Sequence, residues 1–374
     1  MFSKLFSSIT RKGKKKVEAS PASEMQKEPE PVASKPTDLQ VPANMPTEKP
    51  SPEKVSAARR RLSVDGNDWI FDGNKELDTT SKEDIVVPKD DQMYRVYAGK
   101  SQKGYIFQNP RKVNQDTMLI HKDEATKSLV LGAFDGHGEH GHYVSGFISD
   151  HFIKHLLQHE KWTSDMKTAA VESLLRAEKE CIENRFIKTD FSGTTAVICI
   201  IRDDYLLTLN VGDSRAIIVT EVGDDFTVTD LTRDHKPSIP EEKERIVKAG
   251  GRVFNMEYDD GYDGPARVWL ADQNIPGLAM SRSLCDTVAH TVGVISIPEI
   301  TERKLTDDER ALVLGSDGLW EFISSKEAIR LIQDCKDPEN AVETLCNDAR
   351  KRWLDEEKVV DDTTVIVVFL GKES

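Results

Sequence analysis

The sequence is poor in the features that would place it in a membrane, in an oxidising compartment or on nucleic acid. No run of about 18 apolar residues occurs in its 374 positions, so nothing reads as a membrane-spanning helix. Cysteine is scarce and odd in number: Cys181, Cys199, Cys285, Cys335 and Cys346 are scattered and show no C-x-x-C spacing. They read as reduced thiols of an intracellular, cytoplasmic protein, neither a disulfide frame nor a zinc site. Positive charge is also short, and unevenly so. Residues 1–90 hold 16 Lys/Arg and 15 Asp/Glu, which leaves residues 91–374 with 35 against 50, a net of −15. A body that acidic argues against a nucleic-acid partner and suits a site that concentrates cations.

Aromatic residues are missing altogether from Val17–Ala58, which instead holds eight of the sixteen prolines among Ser, Glu and Lys. Such a stretch cannot bury enough surface to offset its ordering entropy, so disorder is expected. Ahead of it, Met1–Lys16 carries six basic residues and no acid, with Phe2, Leu5, Phe6 and Ile9 spaced along one helical face. That pattern suits a peripheral membrane or partner contact through residues 1–16, or a nuclear or organelle address. Phe at position 2 excludes the N-myristoylation pattern. Further along the arm, "ARRRLSVDG" places Ser63 just after Arg60 and Arg61, a candidate phosphorylation site for a basophilic kinase. The division expected is a largely disordered tail, 1–90, and a folded body, 91–374.

In the body, short β-rich runs ("SLVLGAF", "TAVICII", "YLLTLNVG", "RAIIVT", "ALVLGS", "TVIVVFL") alternate with turn signals. Ser192–Ile201, Tyr205–Val211 and Arg215–Thr220 follow one another through short turns, which predicts antiparallel hairpins and meanders. Helical patterns intervene at Tyr143–Gln158, Glu241–Ala249, Lys326–Leu331 and Ala341–Trp353. The class expected is α+β, sheets covered by helices.

Aspartates stand where those apolar runs meet turns: Asp116, Asp135, Asp213, Asp317 and Asp361. A single carboxylate at a strand end is usually a turn former. In "FDGHG", "VGDSR" and "GSDGL", however, Asp directly adjoins Gly, which permits a tight bend and lets a backbone carbonyl approach an ion. Several oxygen ligands without Cys or paired-His spacing point to a hard ion, Mg²⁺ or Mn²⁺. The rival reading, zinc on His137, His140 and His142, matches no closed zinc ligand set.

The stretches "RKVNQD", "FDGHGEHG", "FSGTTAV", "NVGDSRAI", "LTRDHKPSIPEEKERIVKAGGRV", "GPARVWL", "PGLAMSRSL", "LVLGSDGLWEFI" and "DDTTVIVV" occur in that order over Val96–Leu370. Together they resemble the metal-dependent serine/threonine protein phosphatases of type 2C. The resemblance implies an α-β-β-α sandwich of two antiparallel sheets flanked by helices, a monomer, with a two-metal centre at one end. It implies phosphorylated proteins as substrates, hydrolysed by a water that the metals activate. By the same resemblance Asp135 bridges both ions, the Gly136 carbonyl binds one, and Asp317 and Asp361 complete the other. Asp116 is the counterpart of a carboxylate that holds a water of the metal pair. Arg111 matches the arginine that grips the substrate phosphate, and His137 matches the general acid. Asp213 and Glu321 are candidates for a third, weaker ion.

Three departures from the family pattern stand out. Gln115 replaces a common Glu, and Asp362 follows Asp361 where many members have Asn, which leaves the choice of ligand between the two open. Cys285 replaces a nearly universal Gly; the plainer reading is a tolerated small residue, and the alternative is a strained turn before Asp286 with a redox-sensitive thiol. The acidic segment Tyr258–Gly264 is expected in a mobile flap. Two functions of other classes stay open at this point. One is a phosphatase-like scaffold without turnover, the other a metal-dependent phosphodiesterase. Monoester against bis-ester hydrolysis separates them.

Overall fold

The computed structural model describes residues 89–90, 95–107, 109, 111–223, 225–257 and 263–371. In chain order, β1 (Lys89–Asp90), β2 (Arg95–Gln102), β3 (Asp116–Asp123) and β4 (Ser128–His137) precede helices α1 (Gly141–Gln158) and α2 (Met166–Glu183). Next come β5 (Gly193–Thr194), β6 (Ala196–Arg202), β7 (Tyr205–Val211), β8 (Arg215–Val222), β9 (Asp225–Asp230) and α3 (Pro240–Lys248). Strands β10 (Arg252–Glu257), β11 (Asp263–Trp269), β12 (Pro276–Leu278) and β13 (Leu284–Cys285) lead to the short α4 (Thr287–His290). Strands β14 (Glu299–Lys304) and β15 (Glu309–Gly315), helices α5 (Asp317–Trp320), α6 (Ser325–Ile332) and α7 (Pro338–Glu356), and β16 (Thr363–Phe369) complete the chain.

These strands form two large antiparallel sheets. One runs β1-β2-β16-β15-β8-β9; the other runs β13-β5-β4-β6-β7-β14, with β3 also paired to β4. Side chains alternate between the faces of each strand, and that period sorts the core into three layers. On β4, Leu129, Leu131 and Ala133 point into the layer between the sheets, where they meet Ile218, Leu312, Leu314 and Ile366. Val130 and Phe134 point the other way, against Ile148, Phe152, Leu156 and Leu174 of α1 and α2. On the second sheet, Val313, Val365 and Val367 face Leu319, Ala328, Leu345 and Ala349 of α5, α6 and α7. Burial on both faces explains why these strands read as continuous apolar runs rather than as alternating ones. The architecture is the expected α-β-β-α sandwich.

Two features depart from the expectation. The run from β6 to β8 is not a meander: β6 and β7 form a hairpin, but β8 belongs to the opposite sheet, where it pairs with β15 and β9. The turn Gly212-Asp213-Ser214 therefore crosses between sheets, helped by the left-handed Gly212 (φ 98°). A third, small sheet, β10-β11-β12, lies outside the sandwich. Of the acidic flap segment, residues 258–262 lie outside the described residues, as do Ser63 and the basic stretch 1–16. Lys89–Asp90, at the end of the expected tail, pair with β2. No helix among the described residues is long and apolar enough to cross a membrane.

Candidate metal centre

Antiparallel pairing brings the aspartates to one end of the sandwich. Asp116 opens β3, Asp135 lies near the end of β4, Asp213 follows β7, Asp317 follows β15, and Asp361 precedes β16. Strand ends and strand starts coincide in space when neighbours run in opposite directions. A cleft of about 700 Å³ opens there, lined by Asp135, Gly136, His137, Asp213, Asp317, Glu321, Asp361 and Asp362, together with Lys112, Gln115 and Lys236. Its far wall includes Asn255, Pro265 and Ala266 of the small sheet.

Hydrogen bonds from behind hold several of these aspartates in place. Ser316 Oγ donates to Asp116 Oδ2 (2.8 Å) and accepts from the Thr364 N–H (3.0 Å), tying three strands together. The Asp135 N–H donates to Thr195 Oγ1 (3.0 Å). Asp361 and Asp362 separate cleanly in role. Asp362 is buried, and its carboxylate accepts from the Gly104 N–H (2.7 Å), the Gln115 N–H (2.9 Å) and the Lys112 ammonium. Those bonds brace the loop through Asp362, whereas Asp361 Oδ1 accepts only the neighbouring Asp362 N–H (2.7 Å) at hydrogen-bond distance among the described residues. Gly136 packs so closely that a Cβ would stand 2.4 Å from the Gly141 carbonyl oxygen and 2.5 Å from that of Gln115. At Gly318, a Cβ would stand 2.0 Å from the Asp362 carbonyl oxygen.

The electrostatics of this end are unfavourable for the protein alone. Burial first, and then the charges of neighbouring aspartates, push the carboxyls of Asp135 and Asp317 well above the usual range. Burial and Asp362 push Asp116 up to about 7. Asp116 Oδ1 and Asp213 Oδ1 are buried with no hydrogen-bond partner. Two lysines partly relieve the repulsion: Lys112 bonds Asp362 and lies 3.6 Å from Asp361 Oδ1, and Lys236 bonds Asp213. Burial works against the charge of both ammoniums, yet the carboxylates outweigh it and both are held more firmly protonated than usual. Among the described residues no three carboxylate, imidazole or thiol groups converge into a ready-made ligand shell. The donor set still fits hard divalent cations: all oxygen, crowded, buried and under-compensated.

His137 lines the cleft beside this cluster, and its Nε2 lies 2.6 Å from Asp286 Oδ2. Arg111 is exposed and does not line the cleft; the next residue, Lys112, does. The histidines of the rejected zinc reading have separate partners. His140 Nδ1 accepts from the Lys188 N–H, and the His142 ring packs 3.9 Å from that of Tyr143.

Residues 104–356 match the family model described as Protein phosphatase 2C. The chain belongs to the protein phosphatase 2C family. It is 35% identical over 279 residues to probable protein phosphatase 2C 72 of Arabidopsis thaliana, covering 71% of this chain and 83% of that one. It is 32% identical over 287 residues to probable protein phosphatase 2C 48 of Oryza sativa subsp. japonica, covering 69% and 80%. In fold it is similar to the crystal structure of serine-threonine phosphatase 2C from Toxoplasma gondii, with a TM-score of 0.67 at 19% identity, over 76% of this chain and 98% of that one.

For a type 2C phosphatase the sequence reading passed over several residues that shape the cleft. Lys236 stands within "LTRDHKPSIPEEKERIVKAGGRV" and Asp286 directly after Cys285, but neither had a role of its own in the sequence pattern. Ser316 carried no signal at all, because its role depends on three strands meeting. Cys285 does adopt the strained backbone expected of a side chain at a glycine position, with φ 70°, and Asp286 follows at φ 42°. Its thiol is fully buried; a hydrogen bond with Cys181 and then burial push its pKa up, which disfavours the reactive thiolate.

Proposed function

We propose that this phosphatase hydrolyses phosphoserine and phosphothreonine in proteins, using Mg²⁺ or Mn²⁺. Two ions would be held by Asp135, the Gly136 carbonyl, Asp317 and Asp361, with Asp213 and Glu321 as candidate ligands of a third. The observation that carries this reading is the set of buried and half-buried, mutually repelling carboxylates that line one cleft. Divalent ions there would supply positive charge and Lewis acidity toward a phosphoryl group and the attacking water.

The chain's own residues would do the rest. Asp116, held by Ser316, would orient the water. His137, on the wall, would give a proton to the departing serine or threonine oxygen, a contribution of about 10²–10⁴ for a poor leaving group. Lys112 on the lining would draw the phosphate dianion into an otherwise acidic mouth, and the exposed Arg111 next to it in the chain is the candidate to add a guanidinium fork.

The test is hydrolysis of a phosphothreonine peptide and of bis(4-nitrophenyl) phosphate, with Mn²⁺ and with excess EDTA. The peptide should turn over only with the metal, and Asp317→Asn should remove that turnover. Undiminished activity in EDTA would sink the metal reading, and preference for the bis-ester would make the protein a phosphodiesterase.

A further inference from the structure

We propose that Asp286 is a positioning residue for the reaction. Its carboxylate holds His137 through Nε2 and so fixes the orientation of the ring on the cleft wall. The proposal rests on the reading of His137 as general acid.

The pair is built from segments 149 residues apart, with 2.6 Å between Nε2 and Oδ2. Both side chains are largely withdrawn from solvent, at 12% and 4% exposure. What lets them meet is the residue between them. Gly193 is the strand partner of His137 on one side and of Cys285 on the other. A Cβ on Gly193 would stand 2.1 Å from Asp286 Oδ2 and 2.6 Å from its Cγ. The missing side chain is thus the space the carboxylate fills on its way to the imidazole.

The backbone of Asp286 is held for this purpose at a cost. Cys285 and Asp286 are consecutive non-glycine residues in the left-handed region, each costing about 1–2 kcal/mol. The Asp286 N–H donates to the Ser192 carbonyl (3.2 Å), and its own carbonyl accepts from the His290 N–H (3.0 Å). Asp286 occupies the N-cap position of α4, where an aspartate side chain would ordinarily bond the helix's free N–H groups, yet it makes no such bond. The side chain serves His137 instead.

An ionised carboxylate can only accept, so Nε2 is the donor in this bond. As the P–O bond breaks, its electron pair stays on the serine or threonine oxygen, and that oxygen takes a proton from the His137 ring, which is left neutral and still held by Asp286.

The test uses Asp286→Asn, which keeps size and tolerates a left-handed backbone, beside His137→Ala and the double variant. Each is assayed with Mn²⁺ on a phosphothreonine peptide and on 4-nitrophenyl phosphate, whose leaving group needs no proton. Asp286→Asn should lower kcat on the peptide by about 10–100-fold with KM changed less than about twofold, and should hardly change the nitrophenyl ester. The double variant should be no slower than His137→Ala alone, because the two act as one unit. If His137→Ala is selective for the peptide but Asp286→Asn slows both substrates equally, or the two losses multiply, Asp286 is structural and the proposal fails alone. If His137→Ala is itself unselective, the general-acid reading falls and takes this proposal with it. A separate measurement needs no variant: the ¹⁵N spectrum of wild-type His137 should show the neutral ring protonated at Nε2, and protonation at Nδ1 would overturn the assignment.

Discussion

Asp116 and Asp135 are direct cross-strand partners, paired in the register of β3 and β4 and both turned to the same end of the sandwich. Directly opposed like charges destabilise a strand pair, and here both carboxylates are buried or half-buried as well. The fold therefore carries a cost at this pair that a bound cation would remove.

That cost has a pH signature. The folded-state carboxyl of Asp116 is pushed up to about 7, mainly by burial and then by Asp362, against an ordinary 3.8. A raised carboxyl pKa means the folded protein holds the proton more tightly than the unfolded chain does. The stability linked to this group is therefore fully present below the ordinary value and is lost as pH climbs through about 7. In EDTA, Asp116→Asn should gain thermal stability over the wild type as pH rises from about 4 to about 8. Melting curves at several pH values decide it; a constant difference across that range would contradict the assignment. Saturating Mn²⁺ should shrink the gap.

Much of this was readable in advance, and the limits were physical. The β4 and β16 strands announced themselves because both faces are buried, giving unbroken apolar runs. Helix α2 went unread because its buried stripe is Ala169, Ala170, Ser173, Leu174, Ala177 and Cys181, too small and mild to show a clear period. The aspartates were legible from their Asp-Gly turns, but their company was not. Lys112, Lys236, Asp286 and Ser316 act through residues 20 to 250 positions distant, and only the sheet register brings them there. The crossing at Gly212 was misread as a hairpin because a tight turn looks the same whichever sheet receives the next strand.

Close approach of backbones at the metal end gives a second prediction. Gly318→Ala would drive a Cβ to 2.0 Å from the Asp362 carbonyl oxygen and 2.7 Å from Thr363 Oγ1, prising the Asp317 turn from the Asp361–Asp362 loop. We expect a loss of about 1–3 kcal/mol and a clear fall in Mn²⁺ affinity by calorimetry. Gly223→Ala is the control: φ is 65°, but nothing lies within 4 Å. It should cost about 1 kcal/mol of backbone strain and leave Mn²⁺ binding intact. Equal effects on metal binding would mean that the tight packing at Gly318 is irrelevant to the site.

The cysteines give a third. Cys181, Cys199, Cys285 and Cys346 are buried, and Cys335 alone is partly accessible. Burial pushes the thiols of Cys199 and Cys346 up to about 12, so neither offers appreciable thiolate near neutral pH. Iodoacetamide applied to the native protein should label Cys335 first and spare Cys285, read by peptide mass mapping. Early labelling of Cys285 with loss of activity would restore it as a redox-sensitive position.

Lys236 supplies the last prediction, because it stands where the protein uses its own cation at the metal end. Its ammonium bonds the Asp213 carboxylate, which is 3% exposed and whose other oxygen has no partner. Removing one member of such a pair strands the other. In Lys236→Met, the Asp213 carboxyl is left buried without its cation, so in EDTA the variant should lose on the order of 2 kcal/mol; the lysine's remaining solvent contact keeps this below the cost for a fully buried pair. A divalent ion can do what the ammonium did. If Asp213 and Glu321 accept one, as both line the same cleft, Mn²⁺ should stabilise Lys236→Met by more than it stabilises the wild type. The measurement is the Mn²⁺-induced shift in Tm for both proteins at matched free metal. Equal shifts would show that Asp213 takes no ion and that Lys236 is its permanent partner. A larger shift in the variant, lost again when Asp213→Asn is added, would place the extra ion on Asp213.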